Sequence, residues 1–129
     1  MSGENIYHRN CPIGIHDHIH ICIKRHNKIL LFSTCSSQTD TAFSLAKLRG
    51  VDLKTFPVFP KNDVNKFTKE QIYVNCNHVI EISESEFGKL IKDGKIHRLD
   101  GRIDELGLGL IANGVKLSTD VERRIKDLF

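Results

Sequence analysis

The sequence predicts an α+β protein in which the strands come first and the helices last. In residues 15–82 apolar and polar residues alternate, as in β-strands, whereas in residues 83–129 apolar residues recur every three or four positions, as in helices. Of 129 residues, 40% are apolar and 27% charged, which is the composition of a globular domain. We therefore expect a single domain over residues 1–129, β-rich over 15–82 and helical over 83–129.

The first predicted strand carries isoleucine and histidine on opposite faces. Ile15, Ile19, Ile21 and Ile23 occupy odd positions, and His16, His18 and His20 occupy even positions. Because the side chains of a strand alternate, we expect the isoleucines to face the core and the histidines to face a bound ligand. A polar break over 24–27 and an apolar run over 28–33 then predict an antiparallel hairpin.

The remaining strands follow from proline placement and alternation. Pro57 and Pro60 place residues 55–60 at a sheet edge or across the mouth of a barrel, because proline cannot donate a ladder hydrogen bond. Residues 71–75 and 78–82 read as two further strands, with a turn at 76–77 between them.

Three helices are predicted after residue 83. Ser83 and Glu86 form a capping box, and Gly94 marks the end of that helix. A second helix is expected over residues 101–112, ended by the Asn-Gly pair at 113–114, and a third is expected behind Ser118. The residues expected to face the core are Ile103, Leu106 and Leu110 in the second helix and Val121, Ile125 and Leu128 in the third.

Several classes of protein are disfavoured by the sequence. The longest apolar run, residues 29–32, is far shorter than the roughly 18 residues of a membrane helix. The N-terminus lacks the pattern of a secretory signal, so we expect a cytoplasmic protein without a membrane segment. The four cysteines form no Cys-x-x-Cys pair, and no dinucleotide or P-loop motif is present. We expect free thiols, no cofactor and no bound metal.

Basic charge is concentrated in the β-rich half. Residues 24–69 hold nine Lys and Arg against three Asp and Glu, whereas residues from 83 onward hold nine of each, and the net formal charge is +3. A polyanion such as RNA would therefore bind the loops of this half, with Lys24 and Lys28 as candidate contacts. A solvated surface without a partner is the alternative.

The three histidines admit three interpretations. Successive residues on one strand face lie about 7 Å apart, and a reference pKa of about 6.5 suits histidine to proton transfer. The residues could equally form a plain polar face. They could also share a metal if Asp17, Cys76 or His78 came close enough to complete the site.

Hydroxyl residues follow the second strand of the hairpin. Thr34, Ser36 and Ser37 could donate hydrogen bonds to a phosphate, or could simply cap their own loop.

Five short stretches carry a resemblance to a known family. They are His18–Ile23, Leu30–Ser37, Phe56–Pro60, Ile72–Cys76 and Leu110–Ser118. Over about residues 15–129 the chain resembles PemK-like proteins of the MazF/PemK toxin group. The resemblance implies a small SH3-like, MazF-like antiparallel β-barrel with C-terminal helices, a homodimer, and a metal-independent endoribonuclease toxin neutralised by an antitoxin. The Thr-Ser loop of the toxins matches residues 34–37, but their Arg-Pro pair is replaced here by Asp17-His18.

The resulting hypothesis is an RNA-binding endoribonuclease of a toxin-antitoxin or defence system. His18 or His20 would act as general base, Arg25 would stabilise the charge on the phosphorane, and the three hydroxyl residues would position the phosphate. Two alternatives stay open: a non-catalytic protein or nucleic-acid interaction module of a defence complex, and a histidine-cluster metal-binding protein.

Overall fold

The computed structural model describes residues 5–9, 18–36, 43–44 and 47–129, with residues 5–9 and His18 described by their backbone alone. Residues 43–44 and 47–49 are helical, and residues 53–55 form a 3-10 helix. The strands are β1 (Asn5–Arg9), β2 (His18–His26), β3 (Ile29–Ser36), β4 (Val58–Pro60), β5 (Gln71–Val74), β6 (Ile80–Ser83) and β7 (Ile96–Arg102). The α-helices that follow are α1 (Glu84–Lys92), α2 (Glu105–Leu117) and α3 (Arg123–Lys126).

The strands form one antiparallel sheet that curls into a half-barrel. Their order is β4-β5-β3-β2-β1-β7, and β6 pairs with β3 beyond the end of β5. The backbone N–H of Arg102, at the end of β7, donates to the carbonyl of Val64, 3.0 Å away, just after β4. The two edges of the sheet therefore approach each other at this point. The predicted α+β class is confirmed at this level of description.

The predicted hairpin is confirmed, with a shorter turn than expected. β2 continues to His26, and Asn27 and Lys28 form a two-residue turn in which both φ angles are positive, 47° and 65°. Such turns match the twist of the flanking strands. The pairing of β2 with β3 shifts by one residue between Cys22 and Lys24, which is a β-bulge. The predicted strand began at Ile15, and residues 15–17 lie outside the described part of the chain.

Strand β2 is buried on both faces, which differs from the sequence prediction. Ile21 is fully buried on one face, as predicted, but Cys22 is only 4% exposed on the other. His20 is 9% exposed, so the face opposite the isoleucines is not open at this residue. The first core contains Ile21, Ile23, Leu31, Cys35, Phe59, Phe67, Ile72, Val74, Cys76, Ile103, Ile111, Val115, Val121 and Ile125. The second, beneath α1, contains Cys22, Leu30, Phe32, Ile82, Phe87 and Ile96.

The other predicted strands are close to those observed. β4 is an edge strand, β5 and β6 lie within two residues of their predicted bounds, and residues 76–77 form the turn between them. Strand β1 was not predicted, because five residues with one aliphatic side chain give no hydrophobic pattern.

Helix α1 has the predicted ends. The Ser83 hydroxyl accepts a hydrogen bond from the Glu86 N–H at 3.2 Å, and Gly94 adopts a φ of +72° just beyond the helix. Its buried residue Phe87 stacks on Phe32, with ring centroids 5.6 Å apart. The helix thus covers the second core.

The prediction for the second helix was wrong at its start, its end and its buried face. Residues 96–102 form strand β7, and α2 begins only after Asp104, whose carboxylate accepts from the Gly107 N–H at 2.8 Å. The helix runs on through residues 113–114. Leu106 and Leu110 are 79% and 50% exposed, so they do not face the core. The buried residues are Gly107, Ile111, Gly114 and Val115.

Close approach explains why glycine rather than leucine lies on the buried face of α2. A Cβ at Gly114 would lie 2.8 Å from the Cys76 Sγ and 2.9 Å from the carbonyl oxygen of Lys54. The helix backbone therefore packs directly against the β5–β6 turn and the 3-10 helix.

A chain of partly buried hydrogen bonds secures the end of α2. The Ser118 hydroxyl donates to Asn77 Oδ1 at 2.7 Å, and Asn77 Nδ2 donates to the Thr55 hydroxyl at 2.8 Å. Ser118 therefore ends α2, and α3 begins after Glu122, which makes no side-chain cap. The predicted burial of Val121 and Ile125 is confirmed. None of the helices in the described ranges is long and apolar enough to span a membrane.

Gly114→Ala should destabilise the protein by about 1 to 3 kcal/mol, because the added methyl group overpacks a site with backbone on one side. Gly88→Ala is the matched control, since a Cβ at this helical glycine meets nothing within 4 Å. It should stabilise the protein by up to about 1 kcal/mol through helix propensity. Urea unfolding measures both changes, and equal effects at the two sites would contradict the packing described for α2.

An ion pair joins α3 to the sheet. The Arg124 guanidinium donates two hydrogen bonds to the Glu81 carboxylate, at 2.5 and 3.0 Å. These hydrogen bonds, and then the nearby positive charge, hold the pKa of Glu81 below its ordinary value of 4.5. The ionised pair therefore contributes stability above that pH and loses it as the carboxylate protonates in acid.

Glu81→Gln should lower the free energy of unfolding near neutral pH, and its difference from wild type should shrink as the pH falls below 4.5. Unfolding curves at a series of pH values test this. Arg124→Gln should behave in the same way, because it removes the same pair; a variant with the pH dependence of wild type would exclude the pair as its source.

Candidate functional site

The register of the sheet places His20 in a row with polar residues of three other strands. His20 pairs with Thr34 on β3 and with Tyr7 on β1, and Tyr7 pairs in turn with Arg98 on β7. Residues directly opposite each other on neighbouring strands share a face of the sheet. Arg98 is exposed, and its Cα lies two strand spacings, about 10 Å, from that of His20.

A second row lies next to the first on the same face. Arg9 pairs with His18, and Ser36 pairs with Tyr73 on β5. Extending the β2–β3 register by two residues sets His18 opposite Ser36, because His20 is opposite Thr34. The second row also contains Ile96, which pairs with Arg9 and is buried in the second core, and Val58, which pairs with Tyr73. We call the polar residues of the two rows the polar face; they are Tyr7, Arg9, His18, His20, Thr34, Ser36, Tyr73 and Arg98.

A hydrogen bond orients His20 within the polar face. The Thr34 Oγ1 lies 3.2 Å from the His20 Nδ1, and Thr34 is half-buried. The contact orients the ring, and because a hydroxyl can donate or accept, it is compatible with either tautomer of the imidazole. His20 is only 9% exposed, so little of the residue meets solvent.

Two aromatic rings border the polar face. Tyr73 packs edge-to-face against Phe56, with ring centroids 5.6 Å apart, and both side chains are half-buried. Lys54, two residues before Phe56, is exposed. An aromatic surface beside a hydroxyl is suited to an unpaired base whose phosphate lies on the polar residues.

The structure separates Arg25 from the histidines. Arg25 lies five residues beyond His20 along β2, a distance of about 16 Å, and forms an ion pair with Glu84 at the start of α1. The distance of Arg25 from His20 therefore gives no support to its predicted catalytic role. Arg98 is the described arginine in the row of His20.

The predicted phosphate-binding residues also fall into two groups. Thr34 and Ser36 belong to the polar face. Lys24 and Lys28 lie towards the hairpin turn, where the Lys24 ammonium is 6.0 Å from the ring centroid of Phe129 and Lys28 is exposed. Ser37 lies outside the described residues.

The described cysteines are structural. Cys22, Cys35 and Cys76 are buried free thiols. Burial raises the pKa of Cys76 to about 12, and burial followed by the proximity of Cys76 raises that of Cys35 further. Protonated, buried thiols are poor nucleophiles, so we assign these three no chemical role.

The described side chains form no metal site. Among the side chains that the structure describes, no group of three or more His, Cys, Asp and Glu is arranged to hold an ion. His16 and Asp17 lie outside the described residues and the His18 side chain is not described, so the histidine-cluster hypothesis stays a prediction.

A small cavity lies where the two edges of the sheet meet. It is lined by Phe59, Asn62, Val64, Asn65, Arg102, Ile103 and Asp104, and its volume is about 30 Å³. A cavity needs roughly 10 to 15 Å³ for each water, so this one has room for about two waters and not for a nucleotide.

Comparison with family models, with curated proteins and with solved structures finds no match to this chain.

Tyr7, Arg9, Tyr73 and Arg98 are the members of the polar face that the sequence did not reveal as candidates. They lie on strands separated from β2 by up to about eighty residues, and only strand pairing brings them to one face. No local spacing carries that information.

Thr34→Val should lower the free energy of unfolding by about 1 kcal/mol, because it removes a hydroxyl from a partly buried hydrogen bond without changing the shape of the side chain. Thr34→Ser, which keeps the hydroxyl, should also keep the nitrogen chemical shifts of His20 close to those of wild type. Chemical denaturation and NMR measure the two effects. A wild-type His20 spectrum in Thr34→Val would show that the contact does not orient the ring.

Proposed function

We propose that this protein binds single-stranded RNA and cleaves it without a metal ion, using the residues of the polar face. The observation that supports the proposal is the strand register, because it sets His18 and His20 among hydroxyl groups and arginines drawn from four strands. Proton transfer, phosphate binding and charge stabilisation require those three kinds of side chain.

The two histidines have a spacing suited to cleavage of a phosphodiester. Residues two apart on a strand lie about 7 Å from each other, on either side of a phosphate placed between them. One neutral imidazole takes the proton of the 2′-hydroxyl, whose oxygen forms a bond to phosphorus. The bond from phosphorus to the 5′-oxygen breaks, and the other histidine, as imidazolium, donates a proton to the departing oxygen. The products are a 2′,3′-cyclic phosphate and a 5′-hydroxyl.

Arg98 takes the role that the sequence suggested for Arg25. It lies in the row of His20, whereas Arg25 is about 16 Å from that histidine. A guanidinium is long enough to reach across β1 to a phosphate on the polar face, where it stabilises the negative charge of the phosphorane. Thr34 and Ser36 orient the phosphate oxygens.

Tyr73 and Phe56 supply contacts to a base next to the scissile phosphate. Stacking requires a base that is not paired, which favours single-stranded RNA over a duplex. Lys24 pairs with Leu31 of the first core and so lies on the opposite face of the sheet, away from the polar face. Lys28, exposed at the hairpin turn, is the remaining lysine candidate for a more distant phosphate of the RNA.

The proposal extends to the fold type and the partners. An SH3-like, MazF-like barrel, a toxin activity and a neutralising protein antitoxin rest on the sequence motifs given above, together with the antiparallel half-barrel. RNA is the substrate in this proposal, and a second copy of the chain is a further partner.

A second candidate is a non-catalytic interaction module. Exposed leucines on α2 favour it, since Leu106, Leu110 and Leu117 are each at least 40% exposed. In that case the polar face would bind RNA without cleaving it, or the protein would act through α2 alone.

The experiment is an RNA cleavage assay in EDTA with a mixed-sequence single strand and the same sequence as DNA. We expect RNA to be cut to products with cyclic phosphate ends and DNA to remain intact, because the attacking group is the 2′-hydroxyl. His18→Ala, His20→Ala and Arg98→Gln should each lower the cleavage rate by about 10²-fold or more.

Matched controls lie on the same strands. His97→Ala changes an exposed histidine next to Arg98 on the opposite face, and Arg25→Gln changes an arginine of β2 far from the rows. Both should cleave within about threefold of wild type, a small effect beside the loss expected when a general base is removed. Cleavage that depends on a divalent cation would contradict the mechanism, and RNA binding without cleavage would favour the interaction module.

A further inference from the structure

Helix α2 exposes a stripe of leucines that the described chain does not cover. Leu106, Leu110 and Leu117 are 79%, 50% and 40% exposed, and none of them belongs to either core. Together with Asn113 they recur at helical spacing, so they form one stripe beside the buried face of the helix. Exposed leucines in a row are characteristic of a protein interface.

Gly109 borders this stripe. A Cβ at Gly109 would meet nothing within 4 Å, and its φ is not positive, so nothing in the described chain requires glycine there. Glycine weakens a helix relative to other residues. A second helix packed against the stripe would make use of it, because the absent side chain lets another backbone come close.

The charges at the two ends of α2 indicate which helix fits. Glu105 lies at the start and Lys116 near the end, both exposed, and at 100° per residue they fall on the same side of the leucine stripe. In an antiparallel pair related by a two-fold axis, the side of the stripe that carries these two charges faces the same side of the partner's stripe. Glu105 would then meet the partner's Lys116, and the contact would occur twice; a parallel pair would set unlike flanks against each other, so Glu105 would not meet the partner's Lys116.

We propose that two copies of this chain associate through α2, antiparallel, with Leu106, Leu110 and Leu117 packed around Gly109. The helix is about 20 Å long, so the interface is small, and we expect a dissociation constant of about 10 µM. This inference locates the contact for the second copy named under the proposed function, but it does not depend on RNA chemistry and is tested on the protein alone.

Sedimentation equilibrium of the full chain at concentrations up to about 100 µM tests the association. Gly109→Gln should raise the dissociation constant at least tenfold by filling the seam, while raising the melting temperature of the monomer. Gly88→Gln is the matched control, because Gly88 is also an exposed helical glycine with open space around its Cβ. It should raise the melting temperature and leave the dissociation constant unchanged.

Charge reversal tests the antiparallel arrangement. Glu105→Lys and Lys116→Glu should each weaken self-association about three- to tenfold, because each substitution removes two exposed ion pairs that are individually weak. An equimolar mixture of the two variants should associate at least as tightly as wild type, because both cross-contacts then join opposite charges.

Three results would overturn the proposal. The first is a wild-type chain that stays monomeric at about 100 µM. The second is a Gly109→Gln variant that associates like wild type, which would place any interface elsewhere. The third is charge-reversed variants that do not weaken association, which would exclude the antiparallel pairing.

Discussion

The fixed register of β2 between β1 and β3 is the constraint on which the rest of the structure depends. Ile21 faces one core and Cys22 the other, and both are almost fully buried. A slip of one residue would exchange the contents of the two faces and move His20 into the first core. The register that satisfies both cores is also the one that aligns His20 with Thr34, so the packing of the sheet and the geometry of the candidate site have a common cause.

The two ends of the β2–β3 hairpin differ in character as a result. Near its turn the hairpin is covered by α1, and Arg25 is held by Glu84 at the start of that helix. At the other end the same face carries histidines and hydroxyl groups, and β1 and β7 add arginines by pairing alongside. One face of one sheet therefore passes from an apolar core to a group of polar residues within a few residues of strand.

Helix α2 packs closely against the core on one side and exposes apolar side chains on the other. Gly107 and Gly114 let its backbone lie against Ile103, Phe59 and the 76–77 turn, and the Ser118, Asn77 and Thr55 hydrogen bonds hold that position. With the glycines turned inward, the larger leucines face outward. The exposed stripe on α2 is thus a consequence of the way in which the helix docks, and it gives the molecule a second surface remote in sequence from the polar face.

The sequence by itself determined the α+β class, the hairpin, the edge strand with its prolines, and the capped helix α1, because each depends on residues close together in the chain. Ser83, Glu86 and Gly94 are an example, since caps and periodicity are local properties. The sequence also singled out His18, His20, Thr34 and Ser36, which strand pairing brings to one face.

Only the tertiary structure decided which residues stand around those four. Arg98 and Tyr73 reach the polar face through pairings between distant strands, and Arg25, near in sequence, is far away in space. The same reason explains the error in α2, where leucine spacing suggested a buried face that the structure gives to glycines. Hydrophobicity scales give glycine a low preference for burial. Two backbones can nevertheless pack closely only where a side chain is absent, and the packing distance is fixed only when both elements are in place.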